Sequence, residues 1–514
     1  MSWMAVKDYR DKVLGCWMGK NIGGTLGAPF EGKRGTVDID FYTQDLRGQA
    51  LPNDDLDLQL VWLIAVEKYG RAVNASILGE YWHSFIVPNW SEYGMGMNNM
   101  RMGLVPPLSG WVNNLNRDSC GAFIRSEIWA CLAPGHPEIA VRYAYEDAIV
   151  DHSEEGVYGE IFCAAVQSAA FVESDRMKLI NIGLSWIPED CGIARGIRCV
   201  IDSWKQGQDW KEARKTLLRE VPDAFFYSYM NEKEDDLPRG RTGYDAPANV
   251  SIFVLGWLYG EDDFGRSLCI AAGCGEDTDC TAATLGATLG IINGFEGIPE
   301  KWKEPIGDKI VTISINRADQ GHLIANTVHD LTDRVLRQTP RFLDERFVET
   351  VGAKEGYAVL LNEGKALYNQ PRELVPGTFR TFAEDVLHRQ PFSVRYETPL
   401  MTAWLEYGQE PLIKNGEPIA LTLHVENALR KPQWITLRWH LPEGWQISPA
   451  VESSLSLTHN IGGWIAIGKA EFTLTPGDLR QSRYDLFLDI QSQSRHTRLI
   501  IPVTLLTAAN GSSS

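Results

Sequence analysis

Two pairs of aspartates stand ahead of apolar runs in this chain. In GCGEDTDCTAATLGATLGIINGFEG, residues 273–297, Asp277 and Asp279 precede an almost wholly small and apolar stretch. In LPNDDLDLQLVWL, Asp54 and Asp55 precede another, with Asp57 just behind. Carboxylate oxygens are what hard divalent cations prefer, and carboxylates gathered around paired Mg2+ ions could activate a water and stabilise a leaving oxygen. The competing reading is helix capping, because Asn and Asp suit helix starts and complement the macrodipole. For either motif alone both readings stay open. Together, each at the head of a buried segment, they point to convergence on cations. Residues two apart in a helix interior face nearly opposite ways, so Asp277 and Asp279 can share one point only from a helix N-terminus or the loop before it.

The residues behind Asp279 must position it. Ala282, Gly286 and Gly290 recur every four residues, as do Ala283 and Ala287, leaving faces with almost no side-chain bulk. Each interior glycine costs about 1 kcal/mol of helix propensity against alanine, so the close approach of a neighbouring helix is the expected compensation. The segment VPNWSEYGMGMNNMRMGLVPPLSGWVNN, residues 87–114, reads as a long aromatic loop, and loops of that length in compact domains often carry function. Trp90, Tyr93 and Trp111 in it combine flat apolar area with a polar handle. They suit either the face of a sugar or adenine ring, or packing between helices.

Residues 1–340 read as helical. DLQLVWLIAVEKYG, GEIFCAAVQSAAFVES and DFGRSLCIAAGCG carry apolar residues at spacings of three and four. Residues 341–371 read as a helical or irregular connector. From 372 to 508 the pattern changes to alternation, as in IALTLHVENA, WITLRWHLPEGWQI, KAEFTLTPG and RYDLFLDIQ, with turns such as KNGEP. Short strands at that spacing predict an antiparallel β-sandwich of immunoglobulin-like kind. The tail AANGSSS is expected to be disordered.

The ordered set of motifs resembles the ADP-ribosylglycohydrolase family over about residues 8 to 330. GCWMGKNIGGTLGAPFEG is similar to that family's opening helix and glycine-rich loop, ending at Glu31; NDDL stands at its Thr-Asp-Asp-Thr motif, and GEDTDCTAATLGATLG at its Gly-Asp-Asp-Thr-Asp-Thr helix start. The stretch CGAFIRSEIWACLAPGHPEIAVRYAYEDAIVDHSEEGVYGEIFCAAVQSAAF resembles the middle of bacterial members. The resemblance implies an all-α domain with a binuclear Mg2+ site, Mn2+ being able to stand in. It implies metal ligation by Asp54, Asp55, Asp277 and Asp279, with Asn53 and Cys280 where Thr or Ser commonly completes the shell. Catalytic roles fall on Glu31, Asp55 and Asp277. Gly121, Arg125 and His152 match stretches lining the substrate cleft, although Arg125 reads equally well as a buried salt-bridge partner and His152 as structural. Departures stand at Gly24, where many members have Asp, at Leu56, which cannot replace a hydroxyl although Asp57 could, and at Cys280, a soft sulfur where Mg2+ prefers oxygen.

The expected function is therefore a Mg2+-dependent glycohydrolase that cleaves an N- or O-glycosidic bond to a ribosyl group, through an oxocarbenium-like transition state. Two alternatives remain: a hydrolase of another furanoside, nucleoside-like or carbohydrate substrate, favoured by the appended sandwich, and a catalytically silent binding protein on the same scaffold. The substrate would be a small glycoside or an ADP-ribosylated molecule. A net charge of -18 opposes nucleic acid and anionic membranes as partners, and no apolar run reaches the roughly 18 residues of a membrane span. Homo-oligomerisation stays open. Nine cysteines without a C-x-x-C pair suggest neither a disulfide framework nor a zinc site. The start, MSWMAVKDYRDKVLGCWMGK, lacks the order of a signal peptide, so a cytoplasmic location is expected.

Overall fold

Glycines in the opening helix, Val6–Gly27, match the small residues of the helix Thr278–Gly297 one for one. A Cβ added at Gly15, Gly19, Gly23 or Gly27 would strike the carbonyl oxygen of Gly290, Gly286, Ala282 or Thr278, respectively. The same holds in reverse for Gly286 and Gly290 against Gly19 and Gly15. Side chains are absent from both sides of the seam, so backbone meets backbone. At its far end the helix Thr278–Gly297 kinks at Gly294, whose φ of 71° is left-handed, and the Asp11 carboxylate fills the space a Cβ would need there. At its near end the Thr278 hydroxyl donates to the Gly27 carbonyl at 2.8 Å.

In this computed structural model the described residues are 2–221, 243–317, 321–352, 356–370, 391–429, 431–459, 466–493 and 495–507. The tail AANGSSS lies outside them. The chain divides into two compact units between Gln370 and Pro371. Sixteen α-helices, all in the first unit, are described, and among the described residues none is long and apolar enough to cross a membrane. The helix Ala246–Gly260 is buried along nearly its whole length and packs beside the central pair.

Two expectations change. The stretch 87–114 is largely helical, with helices at Ser91–Arg101 and Leu108–Trp111. Its glycines lower helix propensity but are required by packing: a Cβ at Gly96 would press on Asp151, and one at Gly110 on the His152 backbone. The stretch 341–371 contains strands β2 (Val348–Gly352) and β3 (Gly356–Leu361). They form an antiparallel sheet with β1 (Ser2–Ala5), in the order β1-β3-β2. The partner of β3 thus lies at the other end of the unit's sequence, where no local pattern announces it.

The second unit holds β4 (Ser393–Glu397), β5 (Met401–Glu406), β6 (Leu412–Ile413), β7 (Ile419–Asn427), β8 (Gln433–His440), β9 (Gln446–Ser448), β10 (Glu452–Leu457), β11 (Ile467–Thr475), β12 (Arg483–Ser492) and β13 (Arg498–Thr507). They form two five-stranded sheets, β10-β8-β12-β13-β6 and β4-β5-β7-β11-β9. Pairing is antiparallel except for the short β13–β6 contact. Alternate residues of both sheets, among them Leu405, Leu423, Leu437, Leu488 and Val503, close one apolar core, as period-two patterning requires.

Candidate metal centre

The two aspartate motifs meet. Asp277 is the N-cap residue of its helix, and Leu56 that of the helix Asp57–Tyr69, yet neither helix receives a side-chain cap. Elsewhere in the unit Asn74, Asp175, Asp209, Asp245, Asp263 and Thr327 each accept a hydrogen bond from an amide of the first turn they cap. The aspartates of the two motifs are therefore not spent on capping. Asp55, Asp279 and Cys280 present ligand atoms all within 4.8 Å of one another, and so do Glu31, Asp277 and Asp279. Asp279 is common to both groups.

Glu31 arrives by a different route. It follows Gly27 by one short 3-10 turn, Ala28–Phe30. The loop after it is clasped to the segment before Asp277, with the Gly32 amide donating to the Glu276 carbonyl at 3.0 Å and the Glu276 amide to the Lys33 carbonyl at 2.8 Å. Glu276 holds a left-handed φ of 69°, and its buried carboxylate lies between Arg34 and Arg214, each at 3.1 Å. Strain of this kind persists only where surroundings over-determine it, and here two ion pairs and a backbone ladder do so.

The buried carboxylates are incompletely satisfied. Asp55 Oδ2, Asp277 Oδ1 and Asp279 Oδ1 are buried and accept no hydrogen bond. Lys20 stands 3.7 Å from Asp55 Oδ2, beyond hydrogen-bonding range, and gives its stronger contact to Glu127 at 3.0 Å. Burial, then the charges of Asp54 and Asp55, push Glu31 up to about 7, although the residue itself reaches solvent. Burial, then Glu31 and Asp54, push Asp279 up to about 7. Asp55 and Asp277 are raised as well, chiefly by burial. An unpaired buried carboxylate is costly, and a divalent cation removes that cost. The residues present therefore fit such a group.

Among the other expected ligands, Asp54 accepts from the Tyr93 hydroxyl at 2.9 Å. Asn53 points its amide group at Asp279 Oδ2, 3.1 Å away, while its oxygen accepts from the Asp55 amide at 2.7 Å. It thus bridges the Asp279 carboxylate and the Asp55 backbone amide. A Cβ at Gly24 would come within 2.7 Å of the Asn53 amide nitrogen, so the two departures fit together. Asp57 is engaged through one oxygen, while its Oδ1 is buried and accepts no hydrogen bond. Its Oδ2 is spent on the amides of Ile313 and Ser314, at 2.8 and 2.6 Å, and on the Ser314 hydroxyl.

The expected substrate contacts separate into two groups. Trp90 is exposed and stacks on Tyr93 with ring centroids 6.4 Å apart, which links an open aromatic face to Asp54. Trp111 is half-buried in its short helix. Gly121, Arg125 and His152 are wholly buried. A Cβ at Gly121 would strike the Glu92 carboxylate. Arg125 takes the salt-bridge reading, pairing with Asp147 at 2.7 Å and Asp151 at 2.5 Å. His152 Nδ1 faces Asp151 at 2.8 Å, and its Nε2 faces Ser119 at 2.9 Å. These partners of the three residues are buried acids and a buried hydroxyl.

Four residues around the centre escape sequence reasoning. Lys20 is buried behind Asp55. Asn249 accepts from the Asp277 amide at 3.1 Å. The Cys120 thiol sits against Asp277. Tyr244 lies near enough to Asp277, Glu31 and Asp279 for their charges, after burial, to push its hydroxyl upward. The one local signal is Lys20 itself, a cation that directly follows the small and apolar run 13–19.

The family model described as ADP-ribosylglycohydrolase matches residues 5–340. A solved structure titled ADP-ribosylglycohydrolase-related protein complex is similar to the chain at 16% identity and a TM-score of 0.44, covering 66% of this chain and 100% of its own. No curated protein matches.

Proposed function

The chain belongs to the ADP-ribosylglycohydrolase family, whose function is of the glycohydrolase type, and from that premise we propose that it is a divalent-cation-dependent hydrolase acting on an N- or O-glycosidic bond to a ribosyl, ADP-ribosyl-like group. The observation that carries this reading is the meeting of Asp55, Asp277 and Asp279 from two uncapped helix starts, with buried carboxylate oxygens that accept no hydrogen bond. Asp54, Asp55, Asp277 and Asp279 would hold Mg2+ or Mn2+, one ion or two. When bound, such an ion acidifies a water and stabilises developing negative charge.

The chain's own residues supply the rest. Glu31 reaches solvent beside Asp277 and Asp279, where a carboxyl group can take a proton from water and return it to a leaving group. Tyr93 orients Asp54 through its hydroxyl, and Asn53 orients Asp279. Trp90 offers a flat apolar face beside them for a sugar or base. Substrate oxocarbenium character gains from the five nearby carboxylates, counting Glu31.

The test is calorimetry with Mg2+ and Mn2+ on chelator-stripped protein, for wild type and Asp277→Ala, followed by hydrolysis of ribosyl substrates with and without chelator. Saturable binding that Asp277→Ala loses, with chelator-sensitive hydrolysis, is the expected result. A wild type that binds neither ion returns the chain to the silent-scaffold reading. Metal binding with hydrolysis of other furanosides alone would favour the broader substrate class.

A further inference from the structure

Cys280 is more than a lost hydroxyl. It is 8% exposed, sits in the first turn behind Asp279, and its Sγ shares the 4.8 Å cluster with Asp55 and Asp279. Its thiol donates to Asp55 Oδ1 at 3.4 Å and also reaches Asp277. A second sulfur lies nearby, the Cys120 thiol, 3% exposed and close enough to Asp277 to feel its charge. Asp55 Oδ2 and Asp279 Oδ1, both on side chains at least nine-tenths buried, accept no hydrogen bond. One group of donors, Glu31, Asp277 and Asp279, is all oxygen; the other, Asp55, Asp279 and Cys280, ends in sulfur.

Mg2+ takes oxygen ligands in near-ideal octahedra and gains little from sulfur. Borderline cations such as Fe2+, Co2+ and Zn2+ bind thiolate together with carboxylate. We infer that the two halves of the centre differ in chemistry: the half built on Asp55, Asp279 and Cys280 takes a borderline, thiophilic divalent cation through the Cys280 sulfur, while the half built on Glu31, Asp277 and Asp279 keeps the hard-cation character of the family. Binding there replaces the thiol proton with the metal and releases that proton to solvent. This rests on the proposed metal centre and specifies which ion one of its positions selects.

Co2+ serves as the probe, titrated anaerobically into the chelator-stripped full chain with optical absorption and calorimetry as readouts. The expected result is a near-ultraviolet thiolate-to-Co(II) charge-transfer band that saturates with binding. In Cys280→Ser the band should vanish while Co2+ and Mg2+ still bind, with the preference for Co2+ over Mg2+ falling roughly tenfold or more. Cys120→Ser should keep the band. Saturable Co2+ binding by the wild type with ligand-field bands alone overturns the inference and leaves the metal centre standing. A band that survives Cys280→Ser overturns it too. If the wild type binds neither Co2+, Mg2+ nor Mn2+, the proposed function falls with it. Absence of the wild-type band overturns the inference even where the serine variant folds poorly, and Cys280→Ala then reports whether this sulfur carries the band.

Discussion

In the β-sandwich the buried Asn427 donates to the Lys431 and Thr458 carbonyls at 2.8 and 2.6 Å, and Gln433 donates to Asn427 and accepts from Ser492. At the mouth of the helix Thr278–Gly297, by contrast, buried carboxylate oxygens of Asp55, Asp277 and Asp279 have no donor. Among the described residues of the second unit, no buried carboxylate oxygen is left in that state. Both units bury polar groups, but among the described residues only the first leaves buried carboxylate oxygens unanswered. A fold able to satisfy an amide completely, and to cap six helices with side chains, has the means to satisfy three carboxylates. Their exposure to one another is a cost of about 1–3 kcal/mol per unsatisfied group, and costs of that kind concentrate at functional sites.

The largest change should come from Asp279→Ala, which removes the carboxylate common to both ligand groups. Hydrolytic activity is expected to fall on the order of a thousandfold, with cation binding lost by calorimetry. Retention of activity would erase the distinction between the two regions. Arg125→Met strips the shared partner from Asp147 and Asp151, both fully buried. Breaking such a pair costs about 3–5 kcal/mol, read by denaturant unfolding. Next comes the sandwich: Gln433→Ala should lower stability by about 1–3 kcal/mol and leave calorimetric cation binding as in the wild type. A change in cation binding there would show that the regions are not independent in this respect.

The smallest effect is a pH dependence of the metal-free protein. Glu31 and Asp279 are pushed up to about 7, from ordinary values near 4. The folded chain therefore holds protons that the unfolded chain has already released. No penalty from these two groups exists below about pH 4; it grows as pH rises through about 7, and Asp55 and Asp277, raised as well, carry it upward. The melting temperature should drop by a few degrees across that window, and saturating Mg2+ or Mn2+ should flatten the drop. A melting temperature that rises from pH 4 to pH 7 in chelator contradicts this.

Much of the layout was legible. Period-three-and-four spacing marked the helical unit and period-two alternation marked the sandwich, because each residue's face is decided by its nearest neighbours. The four aspartates were legible as a set because two motifs repeated one design. What escaped depended on distance along the chain. The bulk-free face of Ala282, Gly286 and Gly290 asked for a close neighbour without saying which, and the answer, Gly15 to Gly27, lies some 250 residues earlier. Arg125 and His152 look alike in sequence whether they face a ligand or a buried acid; only Asp147, Asp151 and Ser119 decide. Of the strands after residue 341, β2 pairs only with its neighbour β3, whose other partner is the distant Ser2–Ala5.

The glycine seam sets a tolerance as well as a contact. A helix of the length of Val6–Gly27 spans about 33 Å at 1.5 Å per residue, and its far end bears on Gly290 and Gly294 while its near end bears on Thr278 and Asp279. The pair works as a lever pressed along its whole length. A single methyl group inserted at Gly15 would act as a wedge at one end and swing the other, moving the loop that carries Glu31 relative to Asp277 and Asp279. Alignment of the acids is thereby written into peptide geometry far from any of them, and a substitution three turns away can detune the centre without touching it.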